Sequence, residues 1–320
     1  MRRLFKTQSI LTLLLLSIVS TTAFAQPASV GAPTELITSS AVQYQRPLWS
    51  PDGTKLAFTA GQNLGIWVTD ANGNNVEQIT DDAAGFGFSW SLDSESLLAR
   101  VSETQNRRQK MAIKIYHTNS GEITQLTDLR DNMPALPVWA NFDENVVLIS
   151  DNAIEKFESG ITLPTQLKST ISQPFYVLKP GEIATGLVPD NALTDVSPFN
   201  DATYLNLQVS PDGQKLAFEV YGGNLYVMNV DGSNLKDLGQ ANRPSWSPDS
   251  KYVVAMIAED DGYSYKKSDL YALNIDGTER INLTESTDLV AMNPSWSPTG
   301  TDIAFDSPDT GSIYLLKITQ

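Results

Sequence analysis

The stretch RPLWSPDGTKLAF, residues 46–58, decides the fold because the chain repeats it. NLQVSPDGQKLAF begins at residue 206, RPSWSPDSKYVVAM at 243 and NPSWSPTGTDIAF at 293. In each copy an apolar strand runs into a turn and a second apolar strand follows. Proline presets φ for the second turn position, aspartate bonds the backbone beyond it, and glycine accepts positive φ. The stretch therefore predicts an antiparallel hairpin that the chain uses several times.

Two further strands follow each hairpin. Third strands such as GIWVTD (65–70) and NLYVMN (224–229) lead through Asn-Gly or Asp-Gly turns into a fourth. These dipeptides are strong hairpin signals because both residues tolerate positive φ. Alternating, β-branched and aromatic residues dominate, and no amphipathic helix is predicted. Each unit is therefore expected to be a four-stranded antiparallel sheet.

The units are counted from the position that ends each first strand. These positions are Trp49, Trp90, Trp139, Val209, Trp246 and Trp296. Six four-stranded units at roughly 40-residue spacing predict an all-β fold, a six-bladed β-propeller. Residues 152–174 are interpreted as a loop insertion in the third unit. An alternative is a seventh blade supplied by this insert.

The end of the chain suggests how the ring closes. The sixth unit ends after three strands, whereas TELITSS (34–40) precedes the first unit and resembles the fourth strands of the others. We therefore expect the N-terminal segment to complete the last blade.

The first 25 residues have the basic, apolar and small-residue regions of a secretory signal peptide. The apolar run is too short for a membrane span, and no comparable run follows it. We expect cleavage near Ala25 and a periplasmic or secreted protein. It would consist of a short segment, 26–32, and a single propeller domain, 33–320.

Charge and cysteine content exclude several classes of function. Removing Arg2, Arg3 and Lys6 with the signal peptide leaves 19 basic and 37 acidic residues, a net charge of −18. Such a surface repels nucleic acid and anionic lipid. The chain has no cysteine, so it has no disulfide, thiolate metal site or cysteine nucleophile.

The repeat resembles that of the TolB family of β-propellers, in which a Trp-Ser-Pro-Asp-Gly turn is followed by strands like KLAF and IYV. The motif stands at 49–53 and recurs with its register kept at 210–213, 246–249 and 296–298. The resemblance covers nearly all of the mature chain and implies a propeller fold. Similar repeats occur in adaptor proteins, peptidase domains and lyases. TolB itself carries an α/β domain before its propeller, and only QPASVGAP (26–33) stands at that place here.

The sequence offers little for catalysis or metal binding. His117 is the only histidine, and no G-x-S-x-G motif accompanies it, so we interpret it as a surface residue. One histidine and no cysteine exclude ordinary zinc sites. DANGNN, NVDGSN and NIDGTE have oxygen ligands beside glycine, but they lack the spacing of a calcium loop and are interpreted as hairpin turns. No catalytic residue, cofactor or metal is predicted.

A binding site is predicted where long loops and first-strand beginnings share one face. Three residues before each tryptophan position, we expect side chains to ring the mouth of the central channel, with aromatic residues close by. The candidate residues are Tyr44, Arg46, Phe88, Tyr204, Asn206, Arg243 and Asn293, with Gly87 and Leu136 in the same ring and with Arg107, Arg108, Lys110, Lys266 and Lys267 on outer loops. Arginine and aromatic side chains are common anchors for peptides, and arginine suits a carboxylate.

Two hypotheses about function follow. The first is a non-catalytic periplasmic or secreted scaffold, a monomer that binds a protein or peptide, such as an envelope lipoprotein. The alternative is a carbohydrate- or peptide-processing enzyme with an active site in the propeller. The shortage of histidine and metal ligands favours the first.

Overall fold

The computed structural model describes residues 26–150, 153–163, 173–188, 190, 192–260 and 265–319. The predicted signal peptide, 1–25, lies outside these residues. The strands that precede the first blade are β1 (Ala28–Ser29) and β2 (Thr34–Ile37). No helix among the described residues is both long and apolar enough to span a membrane.

The described residues form seven antiparallel sheets, which are the blades. Blade 1 contains β3 (Tyr44–Trp49), β4 (Lys55–Ala60), β5 (Ile66–Asp70) and β6 (Glu77–Thr80). Blade 2 contains β7 (Ser89–Trp90), β8 (Ser96–Gln105), β9 (Arg108–His117) and β10 (Ile123–Gln125). Blade 3 contains β11 (Val138–Ala140), β12 (Asn145–Ser150) and β13 (Ala153–Glu158), and blade 4 contains β14 (Phe175–Lys179), β15 (Glu182–Gly186) and β16 (Leu193–Asp195).

The remaining blades return to the regular pattern. Blade 5 contains β17 (Tyr204–Val209), β18 (Lys215–Val220), β19 (Leu225–Asn229) and β20 (Lys236–Asp237). Blade 6 contains β21 (Asn242–Trp246), β22 (Tyr252–Asp260), β23 (Tyr265–Asn274) and β24 (Arg280–Asn282). Blade 7 contains β25 (Met292–Trp296), β26 (Asp302–Ser307) and β27 (Ser312–Thr319).

The prediction of six blades was wrong, and the alternative count of seven is the one observed. Residues 153–158, expected to begin a long loop, form β13, which pairs with β12 along its whole length. Residues 175–179, expected to be a third strand, form β14, which packs beside β11 and β17 as an innermost strand. A short turn at Pro180 and Gly181 joins β14 to β15 in place of a Ser-Pro-Asp-Gly turn.

The Ser-Pro-Asp-Gly turns are small hydrogen-bond networks. Ser50 Oγ accepts from the Lys55 amide at 3.0 Å and donates to Asp52 Oδ1 at 2.6 Å. The same pair of bonds is formed by Ser210 in blade 5 and Ser247 in blade 6. The serine and aspartate therefore satisfy turn atoms that would otherwise have no partner.

Each blade buries apolar side chains against the next. Seven separate clusters of buried residues are found among the described residues, one at every blade-to-blade junction. Several tryptophans also tie neighbouring blades together, as when Trp90 Nε1 donates to the Leu48 carbonyl and Trp246 Nε1 to that of Gln208. The core is therefore a ring of interfaces around the central channel.

The ring closes as the sequence predicted. β2 pairs antiparallel with β27, so residues before the first blade form the outer strand of blade 7. β1 pairs with the last residues of β27. Ile37 is buried in the cluster that joins blades 7 and 1.

The two ends of the disc differ. We call the end that carries the Ser-Pro-Asp-Gly turns the turn face. The other end, the loop face, carries the crossings between blades, such as 81–88, the tip of the β8–β9 hairpin and the adjoining ends of the paired strands β22 and β23.

Candidate functional site

Four innermost strands carry the same irregularity where they enter from the loop face. The pairing register shifts within β3, β17, β21 and β25, as in a β-bulge. At each bulge one non-glycine residue has left-handed backbone: Arg46 (φ 56°), Asn206 (φ 51°), Arg243 (φ 56°) and Asn293 (φ 48°). This conformation costs a residue such as arginine about 1–2 kcal/mol. Strain of this kind concentrates at functional sites.

Two buried carboxylates hold these bulges. Asp306 Oδ1 accepts from the Arg46 amide at 2.8 Å and from Asn293 Nδ2 at 2.9 Å. Glu219 Oε1 accepts from the Arg243 amide and from Asn206 Nδ2, both at 2.6 Å. Both acids follow the Ala-Phe of a second strand, so they occupy equivalent places in blades 7 and 5. Both carboxylates thus accept hydrogen bonds from backbone N–H groups and from asparagine side chains.

The bulges surround a cavity of about 170 Å³ in the mouth of the channel. Its wall is polar at the bulges and apolar where proline follows them, as at Pro47, Pro244 and Pro294. Proline fits an innermost strand because the channel side of that strand has no ladder partner to receive an amide.

Two guanidinium groups line this cavity, and the Asp306 carboxylate is close enough to act electrostatically on both. Neither Arg46 nor Arg243 forms an ion pair with a carboxylate of the described residues, although Arg243 Nη1 donates to Asn206 Oδ1 at 3.0 Å. Burial lowers the pKa of Arg46, and the positive charge of Arg243 lowers it further. Asp306 opposes this effect only in part. The mouth therefore holds two partly desolvated positive charges that repel each other.

An exposed aromatic ring stands beside them. Phe86, on the crossing from blade 1 to blade 2, is 42% exposed, and the Arg46 guanidinium carbon lies 5.4 Å from the centre of its ring. The Arg100 guanidinium carbon lies 5.6 Å from the same centre, and Arg100 Nη1 is held by the Met133 carbonyl at 2.6 Å. Cation–π contacts of this kind hold the ring in place.

The backbone around Phe86 is tightly packed. A Cβ atom at Gly85 would lie 1.9 Å from Thr59 Oγ1. A Cβ atom at Gly87, whose φ is +72°, would lie 2.4 Å from Leu136 Cδ1. Only glycine on both sides lets the crossing lie this close to its neighbours, which fixes Phe86 at the rim.

The structure brings together five of the predicted site residues. Arg46, Phe88, Asn206, Arg243 and Asn293 all line the cavity. Gly87 lines the cavity too, and the side chain of Leu136 lies against Gly87. Their role in binding stays a prediction.

Tyr44 and Tyr204 are not at the mouth. Both are buried between blades, with ring contacts to Phe58 at 4.9 Å and Phe218 at 5.5 Å. Residues two apart share a face of a regular strand, which would place Tyr44 beside Arg46. The bulge inserts one residue and reverses this relation, because it begins between the tyrosine and the channel residue.

Sequence reasoning missed Phe86, Arg100, Asp306 and Glu219. The acids could have been found, because an acidic residue after an Ala-Phe strand interrupts an apolar run that should be buried. Phe86 gives a weaker signal, an aromatic residue between two glycines in a crossing loop. Arg107 and Arg108, predicted on an outer loop, are exposed at the β8–β9 tip.

His117 has the environment of a structural side chain. Its Nδ1 lies 2.9 Å from Ser96 Oγ and its Nε2 lies 3.2 Å from Thr124 Oγ1. Within the part of the chain that the structure describes, no three histidine, aspartate or glutamate side chains are grouped closely enough to hold a metal ion.

Asp306 should make stability depend on pH. Burial raises its pKa to about 7, despite hydrogen bonds that act in the opposite direction. An unfolded aspartate has a pKa near 3.9, so the folded state binds more protons between these values and loses stability as pH rises through them. We expect this group to cost about 2–3 kcal/mol of unfolding free energy between pH 5 and pH 8.

The test compares the wild-type protein with Asp306→Asn by urea unfolding at both pH values. The unfolding free energy of the wild type should fall relative to that of the variant by this amount. Asp309→Asn, an exposed residue of the same blade, serves as the control and should leave the pH dependence unchanged. An equal pH dependence of Asp306→Asn and the wild type would contradict the expectation.

The fold and the channel mouth define a seven-bladed β-propeller with repeats like those of TolB and an arginine-lined opening on its loop face. No family model matches the chain. It is 30% identical over 118 residues to a Protein TolB homolog of Chlorobium luteolum, a match that covers 34% of this chain. The match spans 26% of the length of that relative.

Solved structures agree on the fold. A protein assigned as TolB from Agrobacterium tumefaciens superposes with a TM-score of 0.52 at 17% identity, covering 88% of this chain and 92% of that one. The GH74 enzyme of Niastella koreensis gives 0.65 at 10% identity, covering 89% and 53%. The Cps50 (Swd1) propeller domain of Myceliophteria thermophila gives 0.58 at 12%, covering 90% and 100%. At these identities the likeness concerns the fold alone.

Proposed function

We propose that the protein is a non-catalytic binding protein of the periplasm that holds a protein or peptide partner on its loop face, such as a cell-envelope lipoprotein. The likeness to TolB propellers supports both the location and the kind of partner. The observation that carries the proposal is the meeting of Arg46 and Arg243 at the channel mouth, with the exposed Phe86 in contact with Arg46. Arginine and aromatic side chains are enriched among the few residues that dominate the binding energy of protein interfaces.

The size of the cavity favours a partner over a free small substrate. Pockets for small molecules usually enclose about 300–1,000 Å³. The channel mouth encloses about 170 Å³, which suits one side chain or chain end of a larger partner. No observation on the described residues favours the enzyme hypothesis, and the two buried carboxylates beside the mouth already accept hydrogen bonds from backbone and asparagine N–H groups.

The remaining parts of the proposal rest on the sequence. A signal peptide at 1–25 with cleavage near Ala25, a short segment at 26–32 and a propeller domain at 33–320 are proposed on the patterns described above. The protein is proposed to be a monomer that binds neither nucleic acid nor a cofactor.

The double variant Arg46→Ala/Arg243→Ala tests the site. Affinity capture from the cell envelope with the tagged, exported full chain should retain a partner, identified by mass spectrometry, and the variant should bind it about 100-fold more weakly. Binding should weaken because the variant lacks both guanidinium groups at the centre of the proposed site.

Lys236→Ala/Arg280→Ala is the matched control, because it removes the same charge from exposed residues on the outer strands β20 and β24. It should retain the partner, and circular dichroism should show that both variants are folded. A partner retained equally by the channel variant and the wild type would remove the channel mouth as the binding site.

A further inference from the structure

We infer that the group recognised at the channel mouth is a carboxylate, bound between the guanidinium groups of Arg46 and Arg243. The inference rests on the proposed function, since it specifies the chemistry of the partner segment that enters this site. The bound group would be the end of a peptide chain or an acidic side chain. The following observations carry it.

The first is electrostatic. Arg46 and Arg243 come from different blades and line one cavity, where burial and then the positive charge of Arg243 lower the pKa of Arg46. Two like charges kept close in a half-buried site are costly unless an anion joins them. A carboxylate between them would replace repulsion by two charge-assisted hydrogen bonds.

The second is the way in which the internal acids are used. Asp306 and Glu219 are the carboxylates that hold the bulges. They accept hydrogen bonds from the backbone amides of Arg46 and Arg243 and from asparagine side chains. They fix the backbone under each arginine without forming ion pairs with the guanidinium groups. The positive ends are thus presented to a ligand.

The third is backbone strain at both arginines. Arginine gains nothing from left-handed backbone, and Gly87 occupies the corresponding place in blade 2 without penalty. The strain at Arg46 and Arg243 is maintained by the buried acids. A positioned pair of guanidinium groups explains why such strain is retained.

Phe86 adds an apolar contact beside the charges. Its ring touches Arg46 and remains partly open to solvent. A ligand with an apolar side chain next to its carboxylate would therefore cover Phe86 while it binds both arginines. The end of a peptide chain has this chemistry.

The test uses small probes and the side-chain Nε–H signals of arginine in NMR spectra of the processed, exported protein. Spectra of Arg46→Lys and Arg243→Lys assign the two signals. The probes are N-acetyl-phenylalanine, N-acetyl-phenylalanine amide and N-acetyl-isoglutamine, whose only carboxylate is on the side chain. We expect saturable shifts with a dissociation constant of about 1 mM for at least one carboxylate probe and none for the amide.

Variants separate the contributions of Arg46, Arg243 and Phe86 to probe binding. Arg46→Gln and Arg243→Gln should each weaken binding by about tenfold or more. Phe86→Ala should weaken N-acetyl-phenylalanine and leave N-acetyl-isoglutamine unchanged. Lys236→Gln, with the same loss of charge on the exposed outer strand of blade 5, should bind like the wild type. Tighter binding of N-acetyl-phenylalanine identifies a chain end as the source of the carboxylate, and tighter binding of N-acetyl-isoglutamine identifies an acidic side chain.

The inference is overturned if neither carboxylate probe shifts the two arginine signals, if the amide shifts them equally, or if the glutamine variants bind like the wild type. The capture experiment keeps the two proposals apart. A partner lost from the Arg46→Ala/Arg243→Ala variant, with no carboxylate binding, would leave the proposed function standing and this inference refuted. Carboxylate binding with a partner still retained by that variant would refute the proposed partner site instead.

Discussion

Deletion of residues 33–41 is expected to lower the thermal unfolding midpoint by about 10 °C or more. The deletion removes β2, the outer strand of blade 7, and with it the pairs that join 34–37 to β27. It also removes Ile37, which is 5% exposed within the cluster between blades 7 and 1. Lost burial of about 2 kcal/mol and several strand hydrogen bonds of about 1 kcal/mol each give a total near 5 kcal/mol.

Circular dichroism during heating measures this midpoint. If the deletion prevents recovery of folded protein, Ile37→Asp provides the same test, because it places a charge in the closing cluster. Ile123→Asp is its matched control, since Ile123 is 50% exposed on the outer strand of blade 2. Equal midpoints for the wild type and Ile37→Asp would show that closure by β2 does not stabilise the ring.

Replacement of Glu219 by alanine is expected to lower the free energy of unfolding by about 3 kcal/mol. Glu219 accepts hydrogen bonds from the Arg243 amide, Asn206 Nδ2 and Asn242 Nδ2. Without it the Arg243 amide and Asn206 Nδ2 lose their acceptor beneath the bulges, whereas the exposed Asn242 can bond water. Each unpaired buried donor costs about 1–3 kcal/mol, and water in the channel would recover part of the total.

Urea unfolding at a single pH measures the loss. Glu219→Gln keeps one acceptor oxygen and should lose less than Glu219→Ala. Glu122→Ala, which removes an exposed carboxylate, should change the free energy of unfolding by about 0.5 kcal/mol or less. If Glu219→Ala were as stable as Glu122→Ala, the bulges would not depend on the carboxylate.

The sequence predicted the blades where local chemistry repeats. Blades 1, 5, 6 and 7 carry recognisable turns of the Ser-Pro-Asp type, and blade 2 keeps its Trp-Ser. In blade 3 three consecutive left-handed residues, Asn141, Phe142 and Asp143, make the turn instead, and in blade 4 Gly181 supplies the positive φ. A turn needs only suitable φ values, so different residues can form it, and the count by motif missed one blade.

The candidate site was predicted in part. The spacing from each tryptophan measures distance along an innermost strand, and it picked out Arg46 and Arg243, which both line the cavity. The direction of Tyr44 could not be obtained in this way, because alternation fails at a bulge. Each buried acid holds an arginine of the next blade and an asparagine of its own blade, and contacts that cross blades leave no local pattern in the sequence.

The pairing of β2 with β27 bears on how quickly the chain can fold. Thr38 and Ser312, whose hydroxyl groups are hydrogen-bonded at this seam, stand 274 residues apart. Contacts between distant residues slow folding, because a long loop must close before they form. β2 must therefore wait until β27 has been made. Until the two pair, β27 is an unpaired edge of blade 7 that could join another chain. We therefore expect refolding to end in a slow phase in which β2 pairs with β27.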